Sequence, residues 1–98
     1  MAEKVSIEVE IKNANGMHMR PAMQFVDTAS RFASKINVSN DKINVDGKSI
    51  MHMAMLAAAA GTKLKVTAEG VDAQAATDAL KELIEVRMFD EPAWLQKE

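Results

Sequence analysis

Cysteine is absent from the 98 residues, which removes disulfides, thiolate catalysis and cysteine-based zinc or iron–sulfur sites together. Rings are scarce as well, with 3 Phe, 1 Trp and no Tyr, so a core has to be built from Ala, Val, Ile, Leu and Met. No run approaches the roughly 20 apolar residues of a membrane-spanning helix. The opening Met1-Ala2-Glu3-Lys4 has no apolar signal segment. Neither export nor membrane insertion is indicated, and the cytoplasm is the expected compartment. Basic excess is missing too: 12 Lys and Arg against 14 Asp and Glu leave a net charge of −2, scattered along the chain. That is no footprint for DNA or RNA. What remains is 48% hydrophobic residues, enough for one small domain and no second.

In chain order, Val5, Ile7, Val9 and Ile11 alternate with polar residues, the period of a strand with one buried face. Asn13-Ala14-Asn15-Gly16 is turn chemistry. A helix is predicted from about Met19 to Ser34, with Ala22, Phe25, Val26, Ala29, Phe32 and Ala33 on its apolar face. Ile36 and Val38, then Ile43 and Val45, flank the polar Ser39-Asn40-Asp41-Lys42 as a β-hairpin. Ser49 should cap a helix that runs to Ala60 and stops at Gly61. This helix is apolar all round, and the excess in Ile50, Met51, Met53 and Met55 implies an exposed adhesive patch. A fourth strand carries Leu64, Val66 and Ala68, and Asp72 should cap a last helix to about Met88. Four short strands and three amphipathic helices make a two-layer α/β (α+β) sandwich. Order alone leaves the topology open, because ferredoxin-like domains share the β-α-β-β-α-β series.

The stretch Asn15-Gly16-Met17-His18-Met19-Arg20-Pro21-Ala22 holds the candidate chemistry. Pro21 suits the first turn of a helix, which puts His18 at the N-cap, among free backbone N–H groups and close to Arg20. The positive helix end disfavours imidazolium, so His18 should be neutral, with a nucleophilic nitrogen. A phosphoryl group on it would be held by the helix N-terminus and the Arg20 guanidinium. The bland alternative is a polar residue before a helix, with half-buried methionine neighbours.

Gly16-Met17-His18-Met19-Arg20-Pro21-Ala22, between an alternating strand and Phe25-Val26-Asp27-Thr28-Ala29-Ser30-Arg31-Phe32, resembles the active-site segment of the histidine-containing phosphocarrier (HPr) family, Gly-Leu-His-Ala-Arg-Pro-Ala. Lys48-Ser49-Ile50-Met51 likewise resembles the family's regulatory segment, whose serine is phosphorylated in many members. The likeness spans roughly Val5 to Met88, giving an HPr-like domain over 1–88 and a C-terminal extension over 89–98. It implies an open-faced sandwich in which three helices cover one face of an antiparallel sheet of order 1-4-2-3. It also implies a carrier and not a turnover enzyme: His18 takes a phosphoryl group on Nδ1 from enzyme I of the phosphoenolpyruvate-dependent phosphotransferase system and passes it to EIIA-type proteins. Arg20 would stabilise the transferred charge. Met17, Met19, Ile50, Met51 and Met55 would form the docking rim. Ser49 would be either a plain N-cap or the target of an HPr serine kinase/phosphorylase. No cofactor or resident metal is implied, and a monomer is expected.

The chain departs from the family pattern at Met19, at His52 and at Ala54, where a docking methionine is common, and in the extension with Trp94, which either packs back or meets a partner. His18, His52 and the methionines also admit a rival class, a Cu(I)-carrying ferredoxin-like module, although such modules use two cysteines. A regulatory small-molecule-binding domain fits the element order but leaves His18-Met19-Arg20-Pro21 unexplained. One histidine without a convergent acid, base or metal cluster lacks the parts of a turnover site.

Overall fold

Alternating residues in the four apolar stretches form the strands β1 (Glu3–Glu10), β2 (Lys35–Ser39), β3 (Asn44–Asp46) and β4 (Lys63–Gly70). Helices α1 (Met19–Ala29), α2 (Ile50–Leu56) and α3 (Ala73–Lys81) complete the order β1-α1-β2-β3-α2-β4-α3 in this computed structural model, which describes residues 3–12, 19–56, 61–87 and 89. The strands make one antiparallel sheet in the order β1-β4-β2-β3, as the family resemblance implied and as periodicity alone left open.

Register puts like with like. Val9 lies opposite Leu64 and Ile7 opposite Val66, while Val38 stands between Val66 and Val45. One face is therefore apolar, and α3 packs against β1 and β4, α2 against β3, and α1 against both other helices. The other face is polar, with Ser6 Oγ and Thr67 Oγ1 paired at 3.1 Å across β1 and β4. Phe25 of α1, Met53 of α2 and Leu80 of α3 are fully buried over Val9, Ile36, Val38, Leu64 and Val66. Each such side chain contributes about 1.5–3 kcal/mol relative to exposure. At the hairpin, Asn40 Oδ1 accepts the N–H groups of Lys42 and Ile43 at 2.8 and 2.9 Å, an Asx-type turn.

Three boundaries differ from the sequence reading. Helix α1 ends at Ala29 rather than Ser34, leaving Phe32 only half-buried and Ala33 exposed. Its last bonds tighten to i→i−3, Arg31 N–H to the Thr28 carbonyl and Phe32 N–H to that of Ala29. The next two N–H groups, of Ala33 and Ser34, go to the Asp72 carboxylate at 2.8 and 2.9 Å, and the Ser34 hydroxyl donates to it as well. Asp72 is consequently no side-chain cap for α3, its oxygens being taken by the turn after α1.

The last helix does not run as one α-helix to Met88, a residue outside those described. It changes after Lys81 into a π-helical turn, Glu82–Val86, closed by Arg87 N–H to the Glu82 carbonyl at 2.9 Å. Within this wider turn Leu83 and Ile84 are both buried, and the Glu85 carboxylate accepts the Glu10 N–H of β1 at 2.8 Å. Phe89, the first residue of the expected extension, is fully buried at a left-handed φ of 58°. The core thus reaches one residue past the expected boundary, while residues 90–98, with Trp94, lie outside the described part.

Candidate functional site

Two helix starts hold the described part of the predicted site. At the first, α1 begins at Met19; Pro21 and Ala22 are buried, and Arg20 between them and solvent is exposed. A buried proline with fixed φ pins the first turn, so the guanidinium is presented from a rigid start. His18 and Met17, and the side chain of Met19, fall outside the described residues.

At the second junction, Gly47 leads from β3 towards α2. A Cβ there would meet Ile36 Cγ2 at 2.6 Å and Phe25 Cε1 at 3.1 Å, which is why the close turn takes glycine. Ser49 is the expected cap: its Oγ accepts the His52 N–H at 3.3 Å, and its carbonyl accepts that of Met53 at 2.9 Å. Asp46 Oδ1 accepts the Lys48 N–H at 2.9 Å, and the Lys48 ammonium is spent on the Phe32 carbonyl at 2.7 Å. The His52 ring packs back across the turn, its Nδ1 accepting the Asp46 N–H at 3.3 Å.

The apolar patch expected on α2 separates by helical phase. Met51 is 78% exposed, Met55 64% and Ile50 39%, whereas Met53 is fully buried and leaves the patch for the core. Ala54 is half-buried. On neighbouring α1, Met23 is 51% exposed and went unassigned in the sequence reading. Its signal was there: an apolar residue off the core stripe of Ala22, Phe25, Val26 and Ala29.

A polar groove of about 320 Å³ crosses the open sheet face between Lys4, Lys35 and Lys65, and none of the predicted site residues lines it. Among the described residues no group of three or more His, Asp or Glu is placed to hold a metal. Among them, too, no helix is long and apolar enough to cross a membrane.

A family model described as "PTS HPr component phosphorylation site" matches residues 5–86. The phosphocarrier protein HPr of Borreliella burgdorferi is 42% identical over 81 residues, 83% of this chain and 94% of the relative. The crystal structure of HPr-C-His from Thermoanaerobacter tengcongensis superposes with a TM-score of 0.80 at 46% identity, covering 92% of this chain and 98% of the other. A second structure from that organism, titled an HPr dimer, gives 0.68 at 46% identity over 82% and 92%. Sheet order, the His18-to-Ala22 segment and a match across more than four-fifths of the chain agree, and the protein belongs to the HPr phosphocarrier family of the phosphotransferase system.

Proposed function

We propose that His18 accepts a phosphoryl group on Nδ1 from phospho-enzyme I, itself charged by phosphoenolpyruvate, and hands it to EIIA-type proteins. One observation carries this reading: the family model named for a phosphorylation site spans the segment that contains His18. The chain's other histidine is a poorer candidate, since His52 Nδ1 is engaged by the Asp46 N–H. In each exchange a P–N bond to His18 forms as the donor's bond to phosphorus breaks, and the reverse occurs on delivery. Charge spreads over the equatorial oxygens in between, where Arg20 and the first N–H groups of α1 act. The exposed Met23, Ile50, Met51 and Met55 supply an apolar rim for partners, joined by Met17 and Met19. Ser49 is the proposed regulatory phosphorylation site for an HPr serine kinase/phosphorylase. The working form is a cytoplasmic monomer without cofactor, a state that sedimentation tests directly.

The deciding experiment incubates the protein with enzyme I and labelled phosphoenolpyruvate and maps the modified residue. The label should sit on His18, be acid-labile and base-stable, and vanish in His18→Ala while persisting in His52→Ala. Full labelling of His18→Ala would overturn the assignment.

A further inference from the structure

Met51 and Met55 stand one helical turn apart on the outer face of α2, 78% and 64% exposed, while Met53 between them in sequence is fully buried. With no cysteine in the chain, thioethers are the softest groups that a peroxide meets, and attack follows access. We propose that Met51 and Met55 form an oxidant-sensitive modification site, at which conversion to methionine sulfoxide by a peroxide lowers the protein's ability to dock its phosphoryl-transfer partners. The inference rests on the carrier reading above.

The chemistry is a single oxygen transfer. A sulfur lone pair attacks one peroxide oxygen, the S–O bond forms as the O–O bond breaks, and the departing hydroxide takes the proton of the transferred oxygen and leaves as water. Sulfur loses the electron pair that the peroxide gains. The product is a polar acceptor where an apolar side chain had offered itself to a partner. Burying it without an assured donor costs about tenfold in affinity or more. The fold has no reason to suffer, because neither side chain belongs to the core and Met53 is shielded. Methionine sulfoxide reductases with a thiol reductant reverse the change.

The test treats the folded protein with hydrogen peroxide, maps sulfoxides by peptide mass spectrometry, and measures transfer from phospho-enzyme I before and after. Oxygen should appear at Met51 and Met55 ahead of Met53, with circular dichroism unchanged and the rate at limiting protein reduced about tenfold. Met51→Leu/Met55→Leu, compared with its own untreated form, should lose much less on the same treatment, which separates this site from the exposed Met23 and from the methionines beside His18. An equal loss in that variant, undiminished transfer after complete oxidation of both residues, or oxidation of Met53 as fast as Met51 would overturn the proposal. Absence of transfer by the untreated protein would instead bring down the carrier reading and this consequence of it, and is read separately from the sulfoxide map.

Discussion

A single carboxylate decides where α1 stops. Asp72 is half-buried and gathers the Ser34 hydroxyl and the N–H groups of Ala33 and Ser34. The Ser34 hydroxyl first, then the Ala33 N–H, hold its pKa below the ordinary carboxylate value. The folded value lies below the unfolded one, so the associated stability is fully present above the unfolded pKa and is lost as pH falls through the folded one. Asp72→Asn should therefore be less stable than the parent at neutral pH, with the gap closing below about pH 4, where the parent carboxylate also protonates. Urea unfolding of both proteins across that range is the check; a gap that widened towards acid would contradict the assignment. Arg20 behaves oppositely. It is exposed in the first turn of α1, where a cation is slightly unfavourable to the helix dipole. Arg20→Ala should leave the thermal midpoint nearly unchanged while slowing phosphorylation of His18 by enzyme I. A large fall in stability with an unchanged rate would make Arg20 a structural residue.

At the scale of elements, α2 joins a cap to the proposed docking face. Aspartate caps as well as serine and suits the positive helix end, so Ser49→Asp should be neutral to slightly stabilising in the free protein. Its charge would nonetheless lie beside the exposed Ile50 and Met51, with the adjacent Lys48 ammonium turned to the Phe32 carbonyl at 2.7 Å. A partner would desolvate that charge unpaired, a loss of about 1–3 kcal/mol, or roughly ten- to a hundredfold in affinity. Equal rates of His18 phosphorylation with equal stability would reduce Ser49 to an ordinary cap. The cap itself was legible, because Ser49 precedes an unbroken run of good helix formers. The end of α1 was not. Arg31 and Phe32 continue the helical spacing, and the group that diverts the next N–H donors lies 38 residues further along the chain. Nor does any local pattern announce the π-turn at Glu82–Val86, whose reward is tertiary: Leu83 and Ile84 both inward and Glu85 on the edge of β1.

For the whole molecule, strand alternation specified which side chains turn inward, but the 1-4-2-3 order needed the resemblance, since the same periodicities serve a ferredoxin-like sheet. Where the two layers meet, the tolerance is narrow. Gly47 N–H donates to the Ile36 carbonyl at 2.9 Å, extending the β2–β3 pairing, and its missing side chain leaves room for Ile36 of the sheet and Phe25 of α1. Replacing it by alanine pits two effects against each other. A less flexible unfolded chain favours the variant by about 0.4–1 kcal/mol where the site can accept a Cβ. Here the new atom would stand 2.6 Å from Ile36 Cγ2 and 3.1 Å from Phe25 Cε1, and both side chains are fully buried and cannot swing aside. Overpacking of that kind costs about 1–3 kcal/mol, so the clash wins and Gly47→Ala should be destabilised. Gly61 gives the contrast: nothing lies within 4 Å of its added Cβ, and only its φ of 89° opposes substitution. The two mechanisms part in a double-mutant cycle. Ile36→Leu removes the branch methyl that the new Cβ would strike, so it should recover part of the loss in Gly47→Ala and add independently to Gly61→Ala. Denaturant unfolding of the parent, the three single variants and the two double variants reads both couplings, and strict additivity at Gly47 would show that the helix layer yields there and that the close approach of Phe25, Ile36 and Gly47 does not limit the fold.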